Sequence, residues 1–155
     1  MKILITGGNG YIGSHTCIEL IKAGYEIIVV DNLCNSSLES LKRVESLVGC
    51  SIPFYKVDVR DKKGLTGIFE KHSIDGVIHF AAKSLVGESV LDPKLYYENN
   101  VKGSINLLNQ MIKNEINNIV FSSSAAIFGN PDVKKISEHQ NKNPINPYGK
   151  SKLMI

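Results

Sequence analysis

The stretch Thr6-Gly7-Gly8-Asn9-Gly10-Tyr11-Ile12-Gly13 decides the fold. Before it runs Lys2–Thr6 (KILIT), short and apolar as a buried strand is; after it Tyr11–Ala23 has helical periodicity and stops at Gly24, a C-cap signal. Gly7, Gly10 and Gly13 stand at G-x-x-G-x-x-G spacing. In that setting Gly7 suits a tight turn, Gly10 lets backbone approach a pyrophosphate, and Gly13 lets the helix pack closely. The helix N-terminus attracts the anion. Glycine turns alone are common. The flanking strand and helix, with Asp31 ending the next apolar run about 20 residues on, make this one a dinucleotide fingerprint. A carboxylate at position 31 can bind adenosine ribose hydroxyls and repels a 2′-phosphate, so NAD is expected in preference to NADP.

Outward from that turn, strand-like and helix-like runs alternate. Glu26–Val30, Ile52–Val57, Gly76–Phe80 and Asn118–Ser122 predict further strands, and Leu38–Val48, Lys62–His72 and Lys94–Asn114 predict helices. Strict alternation means parallel βαβ units with right-handed crossovers, a doubly wound, Rossmann-type α/β sheet. Gly129–Asn146 reads as a long polar loop, of a length that is usually functional. Asn146-Pro147 supplies an N-cap and a first-turn proline, after which Tyr148–Ile155 reads as helix with no stop signal. We therefore expect an incomplete NAD-binding domain over 1–155, the front part of a longer protein, truncated after the fifth strand and the start of that helix.

The 155 residues suit about one domain. A net charge of +3, with Arg43 and Arg60 the only arginines, is too thin and scattered for a nucleic-acid footprint. No apolar run reaches the roughly 20 residues that span a bilayer, and no signal peptide opens the chain, so a cytoplasmic location is expected. Cys17, Cys34 and Cys50 read as reduced thiols. His15, His72, His79 and His139 share no ligand spacing, and no metal site is read. Lys62-Lys63 and Lys134-Lys135 read as solvated faces, and Tyr96-Tyr97 as helical core.

In open α/β sheets the ligand lies outside the carboxyl ends of the strands, where Asp58-Val59, Phe80-Ala81-Ala82-Lys83 and Ser122-Ser123-Ser124 fall. Asp58 reads equally as a helix-capping aspartate, and the alanines as core packing. Tyr148 and Lys152 share one helix face at i, i+4 spacing. A phenol is a weak base at neutral pH, but an adjacent ammonium and the positive end of a helix favour its phenolate. Ser124 can supply the hydroxyl that holds a substrate oxygen beside Tyr148.

The segments GGNGYIGSH, DNLCNS, HFAAKSLVGES, FSSSAAIFG and PYGKSK, in this order, resemble the extended short-chain dehydrogenase/reductase family, in its NAD-dependent sugar-nucleotide epimerase/dehydratase branch. The resemblance runs from Met1 to Ile155. It implies Tyr148 as base, Lys152 as its partner and Ser124 as the hydrogen-bonding serine. It further implies a cofactor lined by Gly7, Gly10, Tyr11, Ile12 and Gly13, by Asp31, Asn32, Leu33, Cys34, Asn35 and Ser36, and by Asp58 and Val59 at the adenine. Phe80, Ala81, Ala82, Lys83, Ser84, Asn99 and Ser122 complete that lining, with Tyr148 and Lys152. The implied activity interconverts UDP-glucose and UDP-galactose by transient oxidation at C4, with a UDP-sugar as substrate and a homodimer as the complete enzyme. Another UDP-sugar epimerase, or an inert NAD-binding fragment, is the alternative; this chain alone is expected to be inactive. Sugar-nucleotide dehydratases carry an acid pair after the serine, where this chain has Ala125-Ala126. Relatives carry lysine where Ser84 stands, and Thr and Tyr where Ala126 and Phe128 stand.

Overall fold

The computed structural model describes residues 1–155, which form two compact units: Met1–Ala81 with Asn106–Ser122, and Ala82–Ile105 with Ser123–Ile155. The first holds five parallel strands, β1 (Lys2–Thr6), β2 (Glu26–Val30), β3 (Phe54–Tyr55), β4 (Gly76–His79) and β5 (Ile119–Phe121), in the order β3-β2-β1-β4-β5. The order turns back at β1, with β2 and β3 on one side and β4 and β5 on the other, which leaves a switch point at the carboxyl end of β1. Register pairs Thr6 with Val30 and with His79, and His79 with Phe121, so the strands end in a row.

The central strands β1, β2 and β4 are buried on both faces, as near-continuous apolar strands require, whereas Ile119 and Val120 of the edge strand β5 are exposed. Leu4, Ile28, Val30 and Val77 pack against Leu65, Ile68 and Phe69 of α3 (Lys62–Lys71) and Leu107 and Met111 of α6 (Gly103–Lys113). Ile3, Ile5, Ile27 and Val29 face Cys17 of α1 (Tyr11–Lys22) and Leu41 and Val44 of α2 (Leu38–Val48). The period-2 alternation of each strand thus sorts its side chains to two helical layers. Gly24, at φ +85°, closes α1 by donating to Ile21 O, as its position after the periodic run predicts. The cap of α3 is Asp61, which accepts from Lys63 and Gly64 N–H; Asp58 does not cap it.

The second unit contains α4 (Val86–Leu91), α5 (Pro93–Tyr96), a π-helical turn (Tyr97–Lys102), the start of α6, a 3₁₀ turn (Ala125–Phe128) and α7 (Pro147–Leu153). No helix is long and apolar enough to cross a membrane.

Five elements differ in detail from expectation. The third strand is confined to Phe54–Tyr55 within the expected 52–57, because Pro53 can only accept, from Val29 N–H, and the chain turns after Tyr55. The helix read as 94–114 is a continuous helical run from Pro93 to Lys113 with a π-helical turn inside it, and α4 is too short to show periodicity. The last helix ends at Leu153, two residues before the end of the expected span. The fourth and fifth strands are shorter than expected at their ends, Gly76–His79 and Ile119–Phe121. The polar stretch 129–146 holds no helix or strand, as expected.

Candidate functional site

In the first unit the glycine turn is built by contacts that leave no room for side chains. Gly7 has φ +71°, and a Cβ there would lie 2.7 Å from Ala81 N. A Cβ on Gly13 would overlap Gly7 O. Gly10 differs: its Cβ would meet only Gly7 O, at 3.3 Å. Gly10 is also the N-cap of α1 and offers no side-chain cap, so the leading N–H groups of the helix receive no acceptor from a side chain at that position. Tyr11 and Ile12, the next two residues, are largely exposed.

Asp31, at the end of β2, is buried and accepts from Asn9 N–H (3.1 Å), Leu33 N–H (2.9 Å) and the Ser36 hydroxyl (2.8 Å). It therefore ties the glycine turn to the loop carrying Asn32–Ser36, in which Cys34 and Asn35 are exposed and Leu33 adopts φ +60°. The Asn9 amide donates to Ser37 O, while its Oδ1 is buried without a partner. Asp58 is held by Asn32 Nδ2 (2.8 Å) and by the backbone and guanidinium of Arg60. That guanidinium holds the Asp58 carboxyl well below the usual carboxylate range. Val59 is buried, and Asn106 of α6 donates to Val59 O and Arg60 O, which fixes this corner. At the end of β4, Thr6 Oγ1 lies 2.6 Å from His79 Nδ1 and accepts from Ala81 N–H. Phe80 and Ser122 are half-buried, and Ser122 N–H donates to His79 O.

In the second unit Ser124 caps the 3₁₀ turn, its Oγ accepting from Ala126 N–H at 3.1 Å. Helix α7 packs on that turn and on α4, α5 and the π-helical turn. Gly149 makes the contact with the turn possible: a Cβ there would lie 2.5 Å from Ala126 O. Asn146 caps α7 through Gly149 N–H at 2.8 Å, as the Asn-Pro signal predicts. Tyr148 is half-buried on this helix, and Lys152, one turn on, is only 5% exposed. Burial pushes the Lys152 ammonium from the ordinary 10.5 down to about 8, since desolvation disfavours the charged form.

A hub that the sequence reading did not name holds α7 in place. Asn100, in the π-helical turn, accepts from Lys83 N–H (2.8 Å) and Asn99 Nδ2 (3.0 Å), and donates to Lys83 O and Ser151 Oγ (each 3.0 Å). Ser151 in turn donates to Tyr148 O. The expected residues Lys83, Asn99, Tyr148 and Lys152 are thus linked or adjacent in one network, with Ala82 half-buried and Ser84 exposed at its edge. Two asparagines in the middle of an amphipathic run were the sequence signal for the hub.

The parallel sheet, its switch point and the glycine turn define a Rossmann-type dinucleotide-binding fold. The chain belongs to the GDP-mannose 4,6 dehydratase family, whose model matches residues 4–155. It is 51% identical over 154 residues to UDP-glucose 4-epimerase of Dictyostelium discoideum, which covers 99% of this chain and 45% of that protein. Among solved structures, UDP-glucose 4-epimerase from Bifidobacterium longum in complex with NAD⁺ and UDP superposes with a TM-score of 0.96 at 45% identity, covering 99% of this chain and 46% of that one. A UDP-Glc/GlcNAc 4-epimerase from Campylobacter jejuni gives 0.94 at 40% identity, with 99% and 46% covered. The chain spans about half the length of the relatives it matches.

Proposed function

We propose that this chain binds NAD and carries the acid–base residues of a UDP-sugar 4-epimerase that interconverts UDP-glucose and UDP-galactose. One observation carries the reading: Tyr148 stands one helical turn from a buried Lys152, in a chain about half identical from end to end to a UDP-glucose 4-epimerase. The first unit fits the cofactor. The leading N–H groups of α1 receive no acceptor from the side chain of its N-cap, Gly10, so a pyrophosphate can take that place, and the Asp31 carboxylate at the end of β2 suits ribose hydroxyls. In the same unit Asp58 and Val59 would flank the adenine.

Bound NAD supplies reversible hydride acceptance from C4 of the sugar, so that the hydride can return to either face. The chain's own residues handle the proton. Tyr148 takes the proton of the 4-hydroxyl on oxidation and gives it back on reduction. Lys152, with its ammonium brought near the working pH, supplies positive charge beside the phenol or exchanges a proton with it. Ser124 orients the sugar oxygen. Ala125 and Ala126 offer no side chain that transfers a proton, so elimination of water lacks its acid and base; this favours epimerase over dehydratase chemistry within the family. The three free cysteines suit a cytoplasmic enzyme, and the exposed Val86, Val90 and Leu91 of α4 suit the homodimer that we assign to the complete enzyme.

The test is conversion of UDP-glucose by the complete protein and by Tyr148→Phe. Turnover should fall about 10²–10⁴-fold with NAD affinity little changed. Near wild-type turnover in the variant would overturn the assignment. The likeness to the UDP-Glc/GlcNAc enzyme supports a second substrate, and UDP-GlcNAc belongs in the same assay.

A further inference from the structure

Tyr96 is the largest fully buried side chain of the protein, and no step proposed above uses it. Its ring meets that of Tyr148 nearly at right angles, with centroids 6.3 Å apart and planes at 81°. This is the edge-to-face arrangement that aromatic quadrupoles favour. The Tyr96 hydroxyl lies 2.7 Å from both Leu85 O and Glu88 Oε2, so its one proton has two acceptors at the start of α4. Burial, with Glu88 beside it, pushes that hydroxyl up to about 12, so it remains a donor throughout the working range. The two tyrosines therefore stand in opposite settings: Tyr96 is sealed and anchored, while Tyr148 is half-exposed.

Tyr148 needs such support. It is the second residue of a seven-residue helix, with only Pro147 before it in that helix, so no earlier helical turn can buttress its ring. The Asn146 cap and Ser151 fix its backbone, and its ring meets that of Tyr96. We infer that Tyr96 is the positioning residue that sets the orientation of the Tyr148 ring, through an edge-to-face contact anchored on α4 by Leu85 O and Glu88. The inference rests on the reading of Tyr148 as the base and adds what aims it. A buried residue that served only to fill the core could be replaced by leucine without moving the Tyr148 ring; Tyr96 could not.

The experiment uses the chain with ¹³C-labelled tyrosine rings, the Tyr148 signals being assigned by their loss in Tyr148→Phe. In Tyr96→Leu those signals should move toward the positions of a solvated tyrosine. Tyr96→Phe, which keeps the ring and loses the anchor, should restore most of the shift. In the complete protein, Tyr96→Leu should lower kcat about 10- to 100-fold, the scale of a misaimed catalytic group, with KM for UDP-glucose within about threefold. Tyr96→Phe should fall between. Unmoved Tyr148 signals in Tyr96→Leu, or moved signals with unchanged kcat, would overturn the inference. If Tyr96→Leu fails to fold, Tyr96→Phe and Glu88→Gln decide it: the first removes the anchoring hydroxyl and the second weakens its acceptor, so each should move the Tyr148 signals by a small but resolved amount, and unmoved signals in both refute it. Wild-type protein without turnover would defeat the epimerase reading, while the ring signals would still decide what orients Tyr148.

Discussion

Replacing Lys152 with methionine should remove a dependence of this protein's stability on pH between about 8 and 10.5. The side chain is 5% exposed, and burial holds its ammonium at about 8 against the ordinary 10.5. At about 1.4 kcal/mol per tenfold, that difference means the fold carries the charged form at an expense of about 3 kcal/mol. The sign follows from the lowered pKa of a cation. Below about 8 both folded and unfolded chains are protonated, and the full penalty is present. Between about 8 and 10.5 the unfolded chain binds more protons than the folded one, so stability rises with pH across that window. Above it the penalty is gone. Methionine keeps most of the aliphatic length and removes the charge. Urea unfolding of both proteins, followed by far-ultraviolet circular dichroism at pH 7, 8, 9 and 10, isolates the contribution, because other titrating groups cancel in the difference. The difference in stability between the unaltered protein and Lys152→Met should shift in favour of the unaltered protein by up to about 3 kcal/mol between pH 7 and pH 10.5. A difference that is equal at pH 7 and pH 10 would refute the claim that burial holds this ammonium down.

Further outcomes are open to direct measurement. Titration of NAD and NADP should show preference for NAD, and Asp31→Ala should narrow it by about 1–3 kcal/mol, the scale of a hydrogen bond to a charged group; equal affinity in the unaltered chain would defeat the assignment of Asp31. Gly149→Ala places a Cβ 2.5 Å from Ala126 O, which should destabilise the protein by about 1–3 kcal/mol and show as a lowered Tm; an unchanged Tm would mean that α7 does not need the close approach. The 155-residue chain alone should convert no UDP-galactose with added NAD, because nothing in it is assigned to grip the uridine diphosphate or enclose a 4-keto sugar. Activity that disappears in Tyr148→Phe would show that expectation to be wrong.

Much of the fold is written in local sequence. Short continuous apolar runs such as KILIT and EIIVV are sorted correctly to strands, and Gly24, Asn146 and Pro147 mark helix ends where the structure has them. These signals are local because backbone conformation and capping depend on neighbours within a turn. The glycine spacing likewise locates the turn that Gly7 and Gly13 build. The π-helical turn inside the long helix escapes this reading, since the hydrogen bonds of Asn100 run to Lys83 and Ser151, 17 and 51 residues away in sequence.

The sequence by itself determined the doubly wound class, the dinucleotide turn, the acidic end of β2 and the i, i+4 pairing of Tyr148 with Lys152, all carried by spacing along the chain. Only the tertiary structure decided the strand order β3-β2-β1-β4-β5, the partners of Asp31 and Asp58, the close seat of Gly149 and the burial that moves the Lys152 ammonium. The physical reason is common to these. Desolvation, steric approach and hydrogen-bond completion depend on which distant atoms surround a group, and that follows from how the elements pack.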